Sequence, residues 1–367
     1  MTKTYEWDTK FINEKLETLE KAYKKKNLSR QKKAIIKISM ESYQNVLDLM
    51  KNQLPMEKEE NNDDKQPLIY LILHLFSQDI ENLYQTYPYL LDDEFKQILV
   101  ALNKIEKQPN IELKKINTSE EEIINNVKVF YHDLDPSLYN EILKIEKINP
   151  NCYQFFNYLP DYGHCIIDLY HRIPYIAIRR TNTIYEEYAL THELIHSMEI
   201  INNGAYFSDF HNITSETLSL LIEMILHDYY QKNNLYNNET HIMNTKINNY
   251  ILEKTKIVTT QLRALNILKT EKKINQKLLK KYIPDLPFLE IINYLSIYLY
   301  DSLINVISYY YAQQLFKVYQ ENPNELTKQL KQILTQKNHN DYLKQLFNTF
   351  NINTEMFNKN KKILVKN

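Results

Sequence analysis

Apolar residues recur three and four apart through "FINEKLETLEKAYKK", "AIIKISMESYQNVLDLM", "SLYNEILKIEKI", "LKQILTQ" and "DYLKQLFNTF". That spacing lines one face of a helix and predicts a mainly helical chain. The stretch "MEKEENNDDKQP", Met56 to Pro67, interrupts the pattern with charge and predicts an exposed loop. Two denser apolar runs, "LIYLILHLF" (Leu68 to Phe76) and "FLEIINYLSIYLYDSLINVISYYYA" (Phe288 to Ala312), read as buried core helices. The first is too short to span a bilayer and the second carries Glu290 and Asp301, so no membrane span is expected. One segment departs from helical spacing: in "YGHCIIDLYHRIPYIAIRR", Tyr162 to Arg180, β-branched and aromatic residues gather on both sides of Arg172 and Pro174. A short β-hairpin or strand pair is predicted there, directly before a helix that begins near Ile184.

Composition narrows the classes of function. With 367 residues the chain can bury a large core, and its two cysteines, Cys152 and Cys165, are too few for a disulfide framework. A reducing compartment follows, and no apolar run backs the charged N-terminal segment, so a cytoplasmic location is expected. Forty-five basic residues face 46 acidic ones, for a net charge of −1. No large field favours nucleic acid or an anionic membrane. Only two glycines are present, Gly163 and Gly204, which excludes the glycine-rich loops that cradle phosphates.

The candidate chemistry lies in "LTHELIHSMEI", Leu190 to Ile200. On a helix His192 and His196 share a face and can offer two imidazoles to one ion, with Glu193 beside them. The continuation that would make a metzincin is absent, because Glu199 and Asn202 stand at its glycine and histidine positions. A third ligand is available in "ITSETLSLLIEMILHDYY": Glu216 follows His196 by twenty residues, room for a turn and a returning helix, and Glu223 lies seven further on. Carboxylates in so apolar a helix are costly unless a metal or a histidine compensates them. Glu216 is therefore assigned as the third ligand and Glu223 as a partner of a ligand. The alternative is a pair of satisfied core histidines and two solvated acids.

"HELIHSM" followed by "SETLSLLIE" resembles the thimet oligopeptidase and oligopeptidase F family of zinc metallopeptidases. The flanks "YGHCIIDLYHRIPYIAI" and "SYYYAQQLFKVYQENPNELTKQLKQIL" are similar too, and the resemblance covers about Asn151 to Asn360. It implies a mainly α, multi-helical, gluzincin-type fold with a small β-hairpin or sheet beside the active-site helix. Residues 1–150 would form an N-terminal helical side of the cleft and residues 151–367 the catalytic region. It further implies one Zn2+ per chain on His192, His196 and Glu216, Glu193 as the base that activates water, and Glu223 in support. Tyr311, with Tyr309 as second choice, would hold the oxyanion; two residues apart on a helix, they point about 200° apart. A peptide would lie extended beside Cys165 to Ile178, touching His171 and Tyr175.

The chain departs from that family at Ile195, Glu199 and Asp301, where glycine, histidine and histidine are usual, and it lacks the family's glycine-rich loop. The function implied is a zinc-dependent endopeptidase acting on short or unfolded peptides, with no nucleic-acid or membrane partner. The alternative is a peptide- or protein-binding relative with little or no turnover.

Overall fold

The computed structural model describes residues 93–157, 162–168, 173–203, 209–271, 273–297, 299–335 and 347–350, with the isolated residues 16, 17, 20, 21, 23, 24, 40 and 352. The expected helices over Phe11 to Lys25 and Ala34 to Met50, the loop from Met56 and the run Leu68 to Phe76 lie outside the described residues, apart from those isolated positions.

Ten helices and three strands follow in order among the described residues: α1 (Asp93–Leu102), α2 (Glu120–Leu134), α3 (Pro136–Ile148), β1 (Tyr153–Phe156), β2 (Gly163–Asp168), β3 (Ile173–Arg179), α4 (Tyr185–Asn203), α5 (Asp209–Lys232), α6 (Asn237–Glu271), α7 (Gln276–Tyr282), α8 (Phe288–Ser296), α9 (Leu299–Glu321) and α10 (Pro323–Thr335). The chain is mainly helical, with a small sheet immediately before the His-Glu helix, as the hydrophobic pattern predicts. Except for Asp168 and Ile173 at strand ends, these elements belong to one compact unit, Lys65–Ile167 with Pro174–Asn367. No helix among the described residues is long and apolar enough to cross a membrane.

The sheet has the order β1-β3-β2, with β1 parallel to β3 in the register Tyr153↔Ile176 to Phe156↔Arg179. The expected strand pair is β2 and β3; β1 is an addition, since a four-residue "YQFF" is too short for alternation to be read. Central β3 is the buried strand, its Ile176, Ala177 and Ile178 at most 2% exposed.

The long apolar run from Phe288 forms two helices, α8 and α9, parted at Ile297. Buried Gln261 of α6 donates to the carbonyls of Tyr294 (2.6 Å) and Ile297 (2.7 Å), so these two carbonyls at the break are satisfied. Helix α9 packs against α5 and α6, while α4 packs against α5, α2, α3 and α10. Helix α4 is thus enclosed on nearly every side, which is why its sequence shows little amphipathic bias.

Several buried polar contacts fix α4. Tyr131 of α2 donates to the Thr191 carbonyl (2.9 Å), and Asn202 donates to Glu141 of α3 (3.1 Å) and to the Leu334 carbonyl of α10 (2.6 Å). The Glu187 carboxylate accepts from Asn126 of α2 (2.8 Å) and from Tyr230 of α5, with Tyr236 at 3.4 Å. Burial raises its pKa and these donors oppose the rise. Tyr230→Phe would leave one of the buried carboxylate oxygens without its donor and should destabilise the protein by roughly 1–3 kcal/mol. Denaturant unfolding checks this, and unchanged stability would remove Glu187 from the contacts that hold α4 to α5.

Candidate metal centre

The approach to α4 is set by one side chain in its first turn. Glu186, buried at the N-terminus, accepts from the backbone amides of Thr181 (2.5 Å) and Asn182 and pairs with Arg180 (2.9 Å). Asn182 itself has φ 53°, a left-handed conformation that asparagine tolerates. Glu186 thereby neutralises the turn from β3 and places a carboxylate where the helix dipole favours it.

Helices α4 and α5 run antiparallel, and their facing polar residues pair in order. Going backward along α4 and forward along α5, His196 meets Ser215 and Glu216, His192 meets Glu216 and Glu223, Tyr188 meets His227 (2.9 Å), and Glu187 meets Tyr230. The spacing of three and four residues on each helix keeps all these groups on the two opposed faces.

At the centre His192, His196 and Glu216 converge. The two Nε2 atoms stand 3.0 Å apart, and the Glu216 oxygens lie 3.3 Å from His192 Nε2 and 3.4 Å from His196 Nε2. The carboxylate thus straddles the two imidazoles, one oxygen toward each, and one donor atom from each of the three residues lies within 4.8 Å of the others, close enough to converge on a single ion. Both Nδ1 atoms are engaged, His192 with Glu223 at 2.5 Å and His196 with Ser215 Oγ at 2.7 Å. An imidazole that donates from Nδ1 leaves its Nε2 lone pair for a cation. Among the described residues these three side chains form the group able to hold a metal ion.

The electrostatics agree with that reading. Burial alone would lower both imidazoles, but hydrogen bonds and charges from Glu216 and Glu223 raise His192 well above its ordinary range, and Glu216 raises His196. Burial opposes ionisation of Glu216 too, yet the neighbouring histidines hold it far below the usual carboxylate range. A cluster that binds protons this tightly binds a cation in competition with them.

Sequence reasoning missed the support on the far side of His196. Ser215 Oγ, which meets His196 Nδ1, also donates to Glu199, whose burial pushes its carboxyl up to about 7. The sequence shows Glu199 only as a departure from the resembling family, and Ser215 only as the neighbour of Glu216. Their pairing depends on the register of α5 against α4.

The remaining expected residues are placed unevenly. Glu193 is 7% exposed and lies on the side of α4 that faces β2, where Cys165 Sγ also meets Ser197 Oγ at 3.2 Å. Tyr309 is buried, donates to Asn248 of α6 at 2.8 Å, and has a phenol pushed up to about 12 by burial, with the charge of Glu223 adding to the rise. Tyr311 is equally buried, with its ring 4.8 Å from that of Phe347. The Tyr309 phenol thus lies within reach of the charge of Glu223. Tyr175 is half-buried on β3, and His171 lies outside the described residues.

Two outcomes follow. Because the carboxylates of Glu216 and Glu223 raise His192, a cation at its Nε2 competes with a proton, and binding of an ion should release protons. Affinity should therefore fall as pH falls. Calorimetry in buffers of different ionisation enthalpy reads the proton count, and a count of zero would contradict the charge balance described. Ser215→Ala should weaken metal affinity by about 10–100-fold while Glu216→Ala removes binding, both read by competition with a chelating dye.

No protein-family model matches the chain, and no curated protein matches it. Among solved structures it is similar to one designated oligoendopeptidase F from Bacillus anthracis str. Ames, with 13% identity and a TM-score of 0.48 over 89% of this chain and 64% of that one. It is also similar to PZ peptidase A with an inhibitor, with 13% identity and a TM-score of 0.46 over 89% of this chain and 65% of that one. The chain thus spans less than two thirds of the length of either protein.

Proposed function

We propose that the chain is a zinc-dependent endopeptidase that hydrolyses internal bonds of short or unfolded peptides. The observation that carries the reading is the triangle of His192, His196 and Glu216, with both Nδ1 atoms engaged and a glutamate one residue along the same helix. Two imidazoles and one carboxylate are a donor set suited to zinc, and three protein ligands leave a position open for chemistry. The resemblance in "HELIHSM" and "SETLSLLIE" points the same way.

Zinc, when bound, supplies a Lewis acid that acidifies a water and polarises a carbonyl. Glu193 would take a proton from the attacking water and deliver it to the leaving amine, the two tasks of a general base that turns acid. Glu223 and Ser215 keep the imidazoles in the tautomer that exposes Nε2. The Tyr309 phenol, released from Asn248, would donate to the oxygen on which charge develops. An extended peptide would pass beside β2 and β3, with Tyr175 among its contacts.

A second reading, a module that binds peptides without cleaving them, draws on Asp301 in the place of the family's histidine and on the missing glycine-rich loop. Glu193 argues for turnover, since a binder has no use for a base beside its ligands.

Glu193→Gln should abolish cleavage of a quenched-fluorescent peptide mixture, by at least about 10³-fold, while one zinc per chain is retained. Zinc with no cleavage by the wild-type protein would favour the binder, and absence of any bound metal would end the assignment of "HELIH" as a zinc site. Tyr309→Phe should lower kcat by about 10²-fold and Tyr311→Phe by less than about threefold. The opposite ranking would return the oxyanion role to Tyr311.

A further inference from the structure

Strand β2 lies along α4. Gly163 rests on Ala189 and Glu193, and Cys165 meets Ser197. Two residues of strand advance about 6.6 Å and four residues of helix about 6 Å, so alternate β2 residues meet successive turns of the helix. At Gly163 the fit is tight. A Cβ there would stand 3.0 Å from the Glu193 carboxyl oxygen Oε1, 3.1 Å from its Cγ and 3.4 Å from Ala189 Cβ.

The backbone of Gly163 is not left-handed, so its conformation does not demand glycine. Glycine within a strand is in fact a cost of roughly 0.5–1 kcal/mol against alanine. What glycine supplies here is clearance, in a chain that has only two glycines. The contact falls on the side chain where a small displacement matters most. The Ser197 hydroxyl donates to the Glu193 backbone carbonyl at 2.9 Å and the α4 backbone is held by its own helix, so relief of a crowded Cβ falls to the glutamate side chain.

We propose that Gly163 is a positioning residue for Glu193: the bare β2 backbone forms the wall against which the carboxyl is held at the distance proton transfer requires. The inference deepens the peptidase reading and rests on it. A side chain at 163 would push the carboxyl away from β2 by a few tenths of an ångström, at little cost to the fold. A general base tolerates such a shift poorly, because proton transfer needs heavy-atom contact within hydrogen-bond reach.

The test is Gly163→Ala, examined by steady-state cleavage of the quenched peptide mixture, metal content, thermal unfolding and a crystal structure. The expected result is a fall in kcat of about tenfold or more, with KM within about twofold. One metal per chain should remain, Tm should be unchanged or raised, and the Glu193 carboxyl should be displaced from its wild-type position. In a Glu193→Gln background the same substitution should cost nothing further, since the effect acts through that side chain. A kcat within about twofold of wild type would overturn the inference. So would loss of the metal, or a carboxyl found unmoved in the crystal whatever the kinetics. Should the wild-type protein cleave nothing, the peptidase reading fails by itself, and the crystal position of Glu193 in the variant still decides the claim about Gly163.

Discussion

The protein depends on the facing of imidazoles and carboxylates between α4 and α5. Isolated charges in an interior this enclosed would be too costly to keep, so each must find its partner, and the partners exist in one register of the two helices only. With His192 set between Glu216 and Glu223, His196 must meet Ser215, Tyr188 must meet His227 and Glu187 must meet Tyr230. A slip by one turn would leave carboxylates against apolar side chains. The same pairs that specify the packing create a surplus of negative charge around two Nε2 atoms, and a divalent cation is the natural complement.

Helix α4 divides its work between two faces. Tyr188, His192 and His196, four residues apart, turn toward α5 and form the donor set. Ala189, Glu193 and Ser197, each one residue later and so about 100° around the axis, turn toward β2. The proposed ligands and the proposed base therefore have different neighbours. His192 and His196 meet α5 through Glu216, Glu223 and Ser215, whereas Glu193 lies against the bare backbone of β2 at Gly163. That separation explains why a helix with little amphipathic bias is needed here: both faces are spoken for, and the other sides are covered by α2, α3 and α10.

Much of this was legible because it depends on local spacing. The four-residue interval of His192 and His196 and the seven-residue interval of Glu216 and Glu223 are helix periods, and a returning helix needs only a plausible turn between them. The strand pair announced itself by β-branched residues around Pro174. Less legible was anything set by register or by approach between elements. Glu199 and Ser215 meet only because of how α5 slides along α4, and Gly163 reads as one of two scattered glycines until β2 is seen against Glu193. The placement of Tyr309 also turned on tertiary packing, because a run of three tyrosines offers every direction and only the contact with Asn248 shows where its hydroxyl is held, near the charge of Glu223.

The central claim is that the meeting point of α4 and α5 holds one zinc ion on two imidazoles and a carboxylate. X-ray absorption at the zinc edge, on protein purified without added metal, tests it most directly. The account predicts about one zinc per chain with nitrogen and oxygen neighbours at about 2.0–2.1 Å and an imidazole scattering pattern from two histidines. A sulfur neighbour at about 2.3 Å, which would place the ion on Cys152 or Cys165 instead, or a protein that carries no zinc, would contradict it.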